Sequence, residues 1–303
     1  MGEKIISKIF IYVAILLIGY MGKRIGVFKK EHTKFLNTII CYITLPAAII
    51  NGFQNVTLTP ILFVGLAIGL FSNILLLFLG QLITKKRSPQ ERIVFVFSAN
   101  CFNIGSFAIP FLTGLISADG FAAICVFDIS VALMCFGVNV AVANSISGNN
   151  GKIDIKQVIK KICTSPVFIT YITLILLTLL KVKIPTIVFE LTEVAGGANA
   201  FLAMLCIGIL FQFKLSKEKW KLVGILLTLR ITVLIGISLL VYFLIPLPED
   251  IKLALCVILM APCPGAAPAL TESNGGDGSI SAVINSISIP ISMGLMSLFL
   301  LIL

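Results

Sequence analysis

Histidine is almost missing from this chain: His32 is the only one in 303 residues, and it lies in a lysine-rich stretch between apolar segments. A catalytic triad, a His-rich metal site and most acid–base designs need a placed imidazole, so one loop histidine excludes them. Charge is scarce too. Only 12% of the residues are charged against 58% hydrophobic, too few to cover a soluble globule of this length. Gly-x-Ser-x-Gly, His-Glu-x-x-His and paired intramembrane aspartates do not occur, which removes the hydrolase and intramembrane-protease signatures. The eight cysteines fall in or beside apolar stretches without Cys-x-x-Cys spacing, and read as free packing residues rather than disulfides or metal ligands. No cofactor motif is visible. What these absences leave is an integral membrane protein.

What is abundant is apolar sequence of membrane length. A hydrocarbon core about 30 Å thick needs on the order of 20 apolar residues per helix. Ten such spans are expected, at 5–21, 35–53, 61–83, 93–116, 121–146, 162–180, 194–213, 222–245, 251–271 and 280–303. The first is long enough to remain as a span, and no small-residue cleavage site follows it. The Asn55-Val56-Thr57 sequon abuts the membrane and reads as chance. Seventeen of the 23 Lys and Arg residues fall in the loops joining odd spans to the next even one. By the positive-inside rule those loops face the cytoplasm and both termini lie outside the cell membrane. The net charge of +10 is therefore mostly topology, with no reading motif for a nucleic acid.

The most polar stretch, residues 145–161, divides the spans five and five. The expected organisation is a first repeat at 1–146, a cytoplasmic linker at 147–161 and a second repeat at 162–303. An odd number of spans per half forces the second half to enter the membrane inverted. The fourth span of each half carries the strongest local signal. Met260 to Asp277 reads MAPCPGAAPALTESNGGD, with Pro262, Pro264 and Pro268 inside a membrane-length segment. An interior proline costs a helix roughly 3 kcal/mol and a donor, so three together break it. In lipid a broken helix must be sheltered by protein or line a wet cavity. The partner segment, NCFNIGSFAIPFL, places Asn100, Asn103, Gly105 and Pro110 at similar depth. Interruptions near Asn103 to Ser106 and Pro262 to Pro268 would let the two helices cross, with Gly265 at the crossing and half-helix ends suited to an anion. The alternative is a pair of Pro-kinked packing helices.

Two charges lie inside spans, where insertion costs about 2.5 to 3.5 kcal/mol. At 1.5 Å per residue, Asp128 is about 10 Å deep from one face and Arg230 about 12 Å from the other. Their heights then differ by an amount that an extended arginine spans. Asp128 takes up a proton or cation, or the two form a switchable or a permanent pair, or Arg230 snorkels while Asp128 stays protonated. Asn139 and Asn285 also lie at membrane depth, where interhelical hydrogen bonds account for either.

These residues resemble the auxin efflux carrier family of permeases, over nearly the whole chain. The resemblance is carried by Leu45-Pro46, Asn103-Ile-Gly105 with Pro110, Phe127-Asp128, Arg230, Pro262 through Glu272 with Gly276-Asp277, and Ser288-Ile-Pro290. It implies an all-α fold of ten helices in two inverted repeats. It further implies a scaffold of spans 1, 2, 6 and 7, a transport domain of spans 3–5 and 8–10, and a scaffold-mediated homodimer. Substrate would bind at the crossover of spans 4 and 9, through Asn100, Asn103, Gly105, Pro110, Pro262, Pro264 and Gly265. Asp128, Arg230 and Glu272 are the candidates for coupling to H+ or Na+. Bacterial members are associated with small dicarboxylates. The expected function is secondary transport of a small organic anion by alternating access, without enzymatic activity; a channel or a non-transporting sensor is the alternative.

Overall fold

The computed structural model describes residues 2–54, 56, 59–148 and 155–303. Asn55 and Thr57 of the sequon and residues 149–154 of the central linker lie outside the described residues. Every regular element described is helical, and seven helices are long and apolar enough to cross a membrane. These are α1 (Gly2–Arg24), α2 (His32–Gly52), α3 (Pro60–Thr84), α6 (Ala118–Ile146), α9 (Thr186–Leu210), α10 (Lys217–Leu244) and α13 (Gly278–Ile302). Between them come α4 (Pro89–Ser98), α5 (104–112), α7 (Ile155–Cys163), α8 (Pro166–Leu179), α11 (Glu249–Ile258) and α12 (Ala267–Ser273).

Local chemistry explains where these helices begin. The side chains of Ser88, Ser117 and Asp277 accept backbone N–H bonds at the first turns of α4, α6 and α13, satisfying donors that have no intrahelical partner. Pro89, Pro166 and Pro268 occupy first-turn positions, where a missing N–H costs nothing. The seventh span departs most from expectation. It starts at Thr186 rather than near Val194, because Glu190 and Glu193 lower the hydropathy of turns that are nevertheless helical.

The helices pack as two groups. In one, α1 and α2 lie against α9, and α8 against α2; in the other, α3, α4, α6 and α10–α13 pack on one another. Helix α5 lies against α9 and is tied to the second group through the backbone at Asn103. Gly19 and Gly208 bring α1 and α9 into backbone contact: a Cβ on Gly19 would stand 2.5 Å from the Leu205 carbonyl oxygen and 3.1 Å from Gly208 Cα. Small residues that let backbones approach are the usual device of helix association in lipid. Between the groups, besides α5 against α9, α1 and α9 touch α13, and α2 and α8 touch α6. The chain ends share one face, since Leu301 Cδ2 is 3.5 Å from a Cβ on Gly2. Large apolar side chains such as Phe10, Val194 and Phe243 are exposed, as helices facing lipid require.

On the opposite face Asp277 caps α13 and pairs with Lys219 at the start of α10. Burial works to raise the Asp277 carboxyl, but hydrogen bonds from Lys219 and Ser279 hold it below its ordinary value. A depressed folded-state pKa contributes stability that is present above the unfolded value of about 4 and is lost as pH falls through the folded value. Asp277→Asn should therefore show a flatter decline in melting temperature than the parent as pH drops below about 4. Parallel curves for the two proteins would show that the pair contributes nothing to folding.

Candidate functional site

Two interruptions meet inside the second group. Helix α4 ends at Ser98, and the chain runs without regular structure to Asn103 before a π turn, Ile104–Ala108, opens α5. Helix α11 ends at Ile258, and α12 begins only at Ala267. The first break thus lies at 99–103, ahead of the Asn103–Ser106 stretch that the sequence pointed to. Pro110 lies inside α5, directly after the π turn whose wider i→i+5 bonding (Ile109 N–H to Ile104 O) precedes it, so it does not mark the break. Pro262 and Pro264 do lie in the non-helical stretch of the second segment.

The two stretches are tied to each other through the backbone: Asn103 N–H donates to the Pro262 carbonyl at 2.9 Å. Arg230 of α10 completes the junction. Its Nη1 donates to the carbonyls of Ala99 (2.7 Å) and Cys101 (2.9 Å), and its Nη2 to Ala261 (2.9 Å). The guanidinium also stands 4.5 Å from the centroid of the Phe102 ring, a cation–π contact. Further bonds satisfy the second loop, where Cys263 N–H donates to Ser288 Oγ and Asn285 Nδ2 to the Cys263 carbonyl. Carbonyls freed by broken helices cannot find water in a bilayer core; here one buried fork of donors serves three of them.

Of the alternatives open for the two charges, this arrangement sets aside the pair. No ion pair joins them; Arg230 is committed to backbone carbonyls, and Asp128 Oδ2 accepts from Tyr171 Oη at 3.0 Å. Tyr171 is on α8, so this bond crosses from one helix group to the other. Asn100 is also turned away from the junction. It is fully buried and exchanges two hydrogen bonds with Asn139 of α6, at 2.8 and 3.1 Å. Glu272 is exposed in the last turn of α12, beyond the junction.

Asn103, Pro262 and Gly265 do come together. Asn103 Nδ2 is buried without a hydrogen-bond partner, and a Cβ built on Gly265 would lie 3.5 Å from it. Gly265 itself is exposed. A lone amide donor beside an open glycine can bond an acceptor that approaches along the backbone. Gly105, in the π turn, faces Leu45 of α2, whose Cδ2 would be 2.6 Å from a Cβ there. Pro110 contributes its carbonyl, which accepts from Tyr12 of α1 at 2.6 Å. Sequence reasoning missed Tyr12 and Tyr171, the two tyrosines that join the helix groups; a polar ring tip in an apolar span was the available signal.

Residues 4–300 match the family described as membrane transport protein. An uncharacterised transporter of Methanocaldococcus jannaschii is 28% identical over 221 residues, covering 69% of this chain and 70% of that protein.

Proposed function

The chain belongs to the membrane transport protein family, the auxin efflux carrier permeases, and on that premise we propose that it moves a small organic anion by alternating access. The observation that carries the reading is the junction itself: two interrupted helices bonded at Asn103 and Pro262, beside a buried amide with an unused donor. Discontinuous helices meeting at mid-membrane are the usual architecture of a secondary transporter's binding site.

In this reading the seven long helices, α8 and the two interrupted segments make ten crossings, arranged as inverted repeats at 1–146 and 162–303. Helices α1, α2, α8 and α9 form the scaffold. The second group carries the junction as a transport domain that shifts, elevator-like, against it. Packing is denser within each group than between them, which supports that division. Lysine and arginine placement supports a cytoplasmic membrane location with both termini outside. Counterflow of labelled carboxylates in reconstituted vesicles tests the proposal. Exchange without steady conductance is expected; conductance without counterflow would indicate a channel, and neither would indicate a sensor.

Asp128 is the proposed site for a coupling proton or cation, since its bond to Tyr171 spans the interface that must slide. Neutralising the carboxylate changes that bond and so the balance between the two orientations of the moving domain. Asp128→Asn should abolish gradient-driven accumulation, or its dependence on pH or sodium, while preserving substrate binding. Unaltered ion-dependent uptake in that variant would place coupling elsewhere.

A further inference from the structure

Between the two helix groups, on the face that holds the chain ends, a cavity of about 590 Å³ opens between α1, α2 and α9 and the end of α5. A shallower hollow of about 430 Å³ continues from it past Glu3 and Lys4, sharing Lys8 and Thr113. The larger cavity is not part of the junction. Its polar lining includes Lys8 and Tyr12 of α1, Asn51 and Gln54 in and just after α2, Thr113 just after α5, and Glu193 and Asn199 of α9.

Asn199 is the informative group. It is 1% exposed, its Oδ1 accepts from Thr44 Oγ1 at 3.0 Å, and its Nδ2 has no partner. A buried amide N–H left unbonded costs roughly 1–3 kcal/mol, a cost that an arriving acceptor removes. The cation lining the same cavity is Lys8, whose Nζ donates to the Thr113 carbonyl at 2.6 Å and has two further N–H groups. An ammonium and an amide donor on one concave wall suit a carboxylate. Glu193 on the same cavity makes no ion pair with Lys8, so its charge is left to act on what enters.

We propose that this cavity is a second carboxylate site, in which Asn199 and Lys8 hold one carboxylate while Glu193 disfavours ligands carrying another. As an entry site for transported substrate it rests on the transport reading, whereas its occupancy does not. It would admit a small monocarboxylate before the junction is reached and bias the protein against dicarboxylates on this face.

Binding of labelled L-lactate and of succinate to the purified full-length protein in nanodiscs tests this. Asn199→Asp keeps the acceptor for Thr44 but replaces the free donor with a charge. Gly197→Phe fills the cavity from a wall where an added Cβ meets nothing within 4 Å, so folding is spared. Each should weaken lactate binding by about tenfold or more, the scale of a lost charge-assisted contact. Glu193→Gln should tighten succinate binding several-fold and leave lactate nearly unchanged. Wild-type lactate affinity in both Asn199→Asp and Gly197→Phe, or no lactate binding by the parent, overturns the site; unchanged succinate affinity in Glu193→Gln overturns the selectivity. Asn103→Ala separates the two readings. If it alone weakens binding, the junction stands and the cavity site falls, whereas losses confined to the cavity variants support the cavity site and count against the junction.

Discussion

Replacing Arg230 with methionine should leave little folded protein. The substitution keeps most of the apolar length but strands the carbonyls of Ala99, Cys101 and Ala261, all within 3 Å of the guanidinium nitrogens. Each buried acceptor left unpaired costs roughly 1–3 kcal/mol, so the loss is on the order of several kcal/mol against a total stability of about 5–15. Arg230→Lys keeps the charge but lacks a fork able to reach both loops, and should fold with a clearly lower melting temperature. Detergent-solubilised yield and thermal unfolding read both effects. A methionine variant that melts with the parent would mean that the junction does not depend on this residue.

The second large effect is expected at the junction's open side. Asn103→Ala removes the unused donor, and Gly265→Phe places a ring where Asn103 Nδ2 would be 3.5 Å from even a Cβ. Neither change removes the backbone bond from Asn103 N–H to Pro262, so folding should be largely retained. Transport by either variant should fall at least tenfold, the scale of losing one well-placed hydrogen bond to a charged ligand. Normal uptake in both variants would remove the junction from the mechanism.

Much of this was legible in sequence because the physics is local. Low charge and long apolar runs dictate a membrane solvent, and three prolines in one span dictate a broken helix wherever the chain goes afterwards. Asn103 stood out because an amide beside a break is costly unless used. The partners of the two buried charges were not legible. Arg230 bonds to carbonyls, which every residue carries and no sequence pattern marks. Asp128 bonds to Tyr171, 43 positions away on a helix from the other group. The break in span 4 meets its expected place only at Asn103, because the following residues 104–108 close into a π turn that no side-chain pattern marks. The cavity at Asn199 was equally silent, since it exists only where four segments converge.

The central claim is that one helix group slides past the other, and the contact between Leu45 and Gly105 tests it most directly. Leu45 belongs to α2 and Gly105 to α5, and the Leu45 side chain fills the space that a Cβ on Gly105 would take. Leu45 Cγ is 3.8 Å from where a Cβ on Gly105 would stand, so a sulfur at that γ position needs only a small adjustment, and cysteines introduced together at these positions should form a disulfide on mild oxidation. Counterflow in vesicles containing the linked protein should stop and should return on reduction, while each single variant stays insensitive to oxidant. Full-rate counterflow with the disulfide verified as intact would contradict the account.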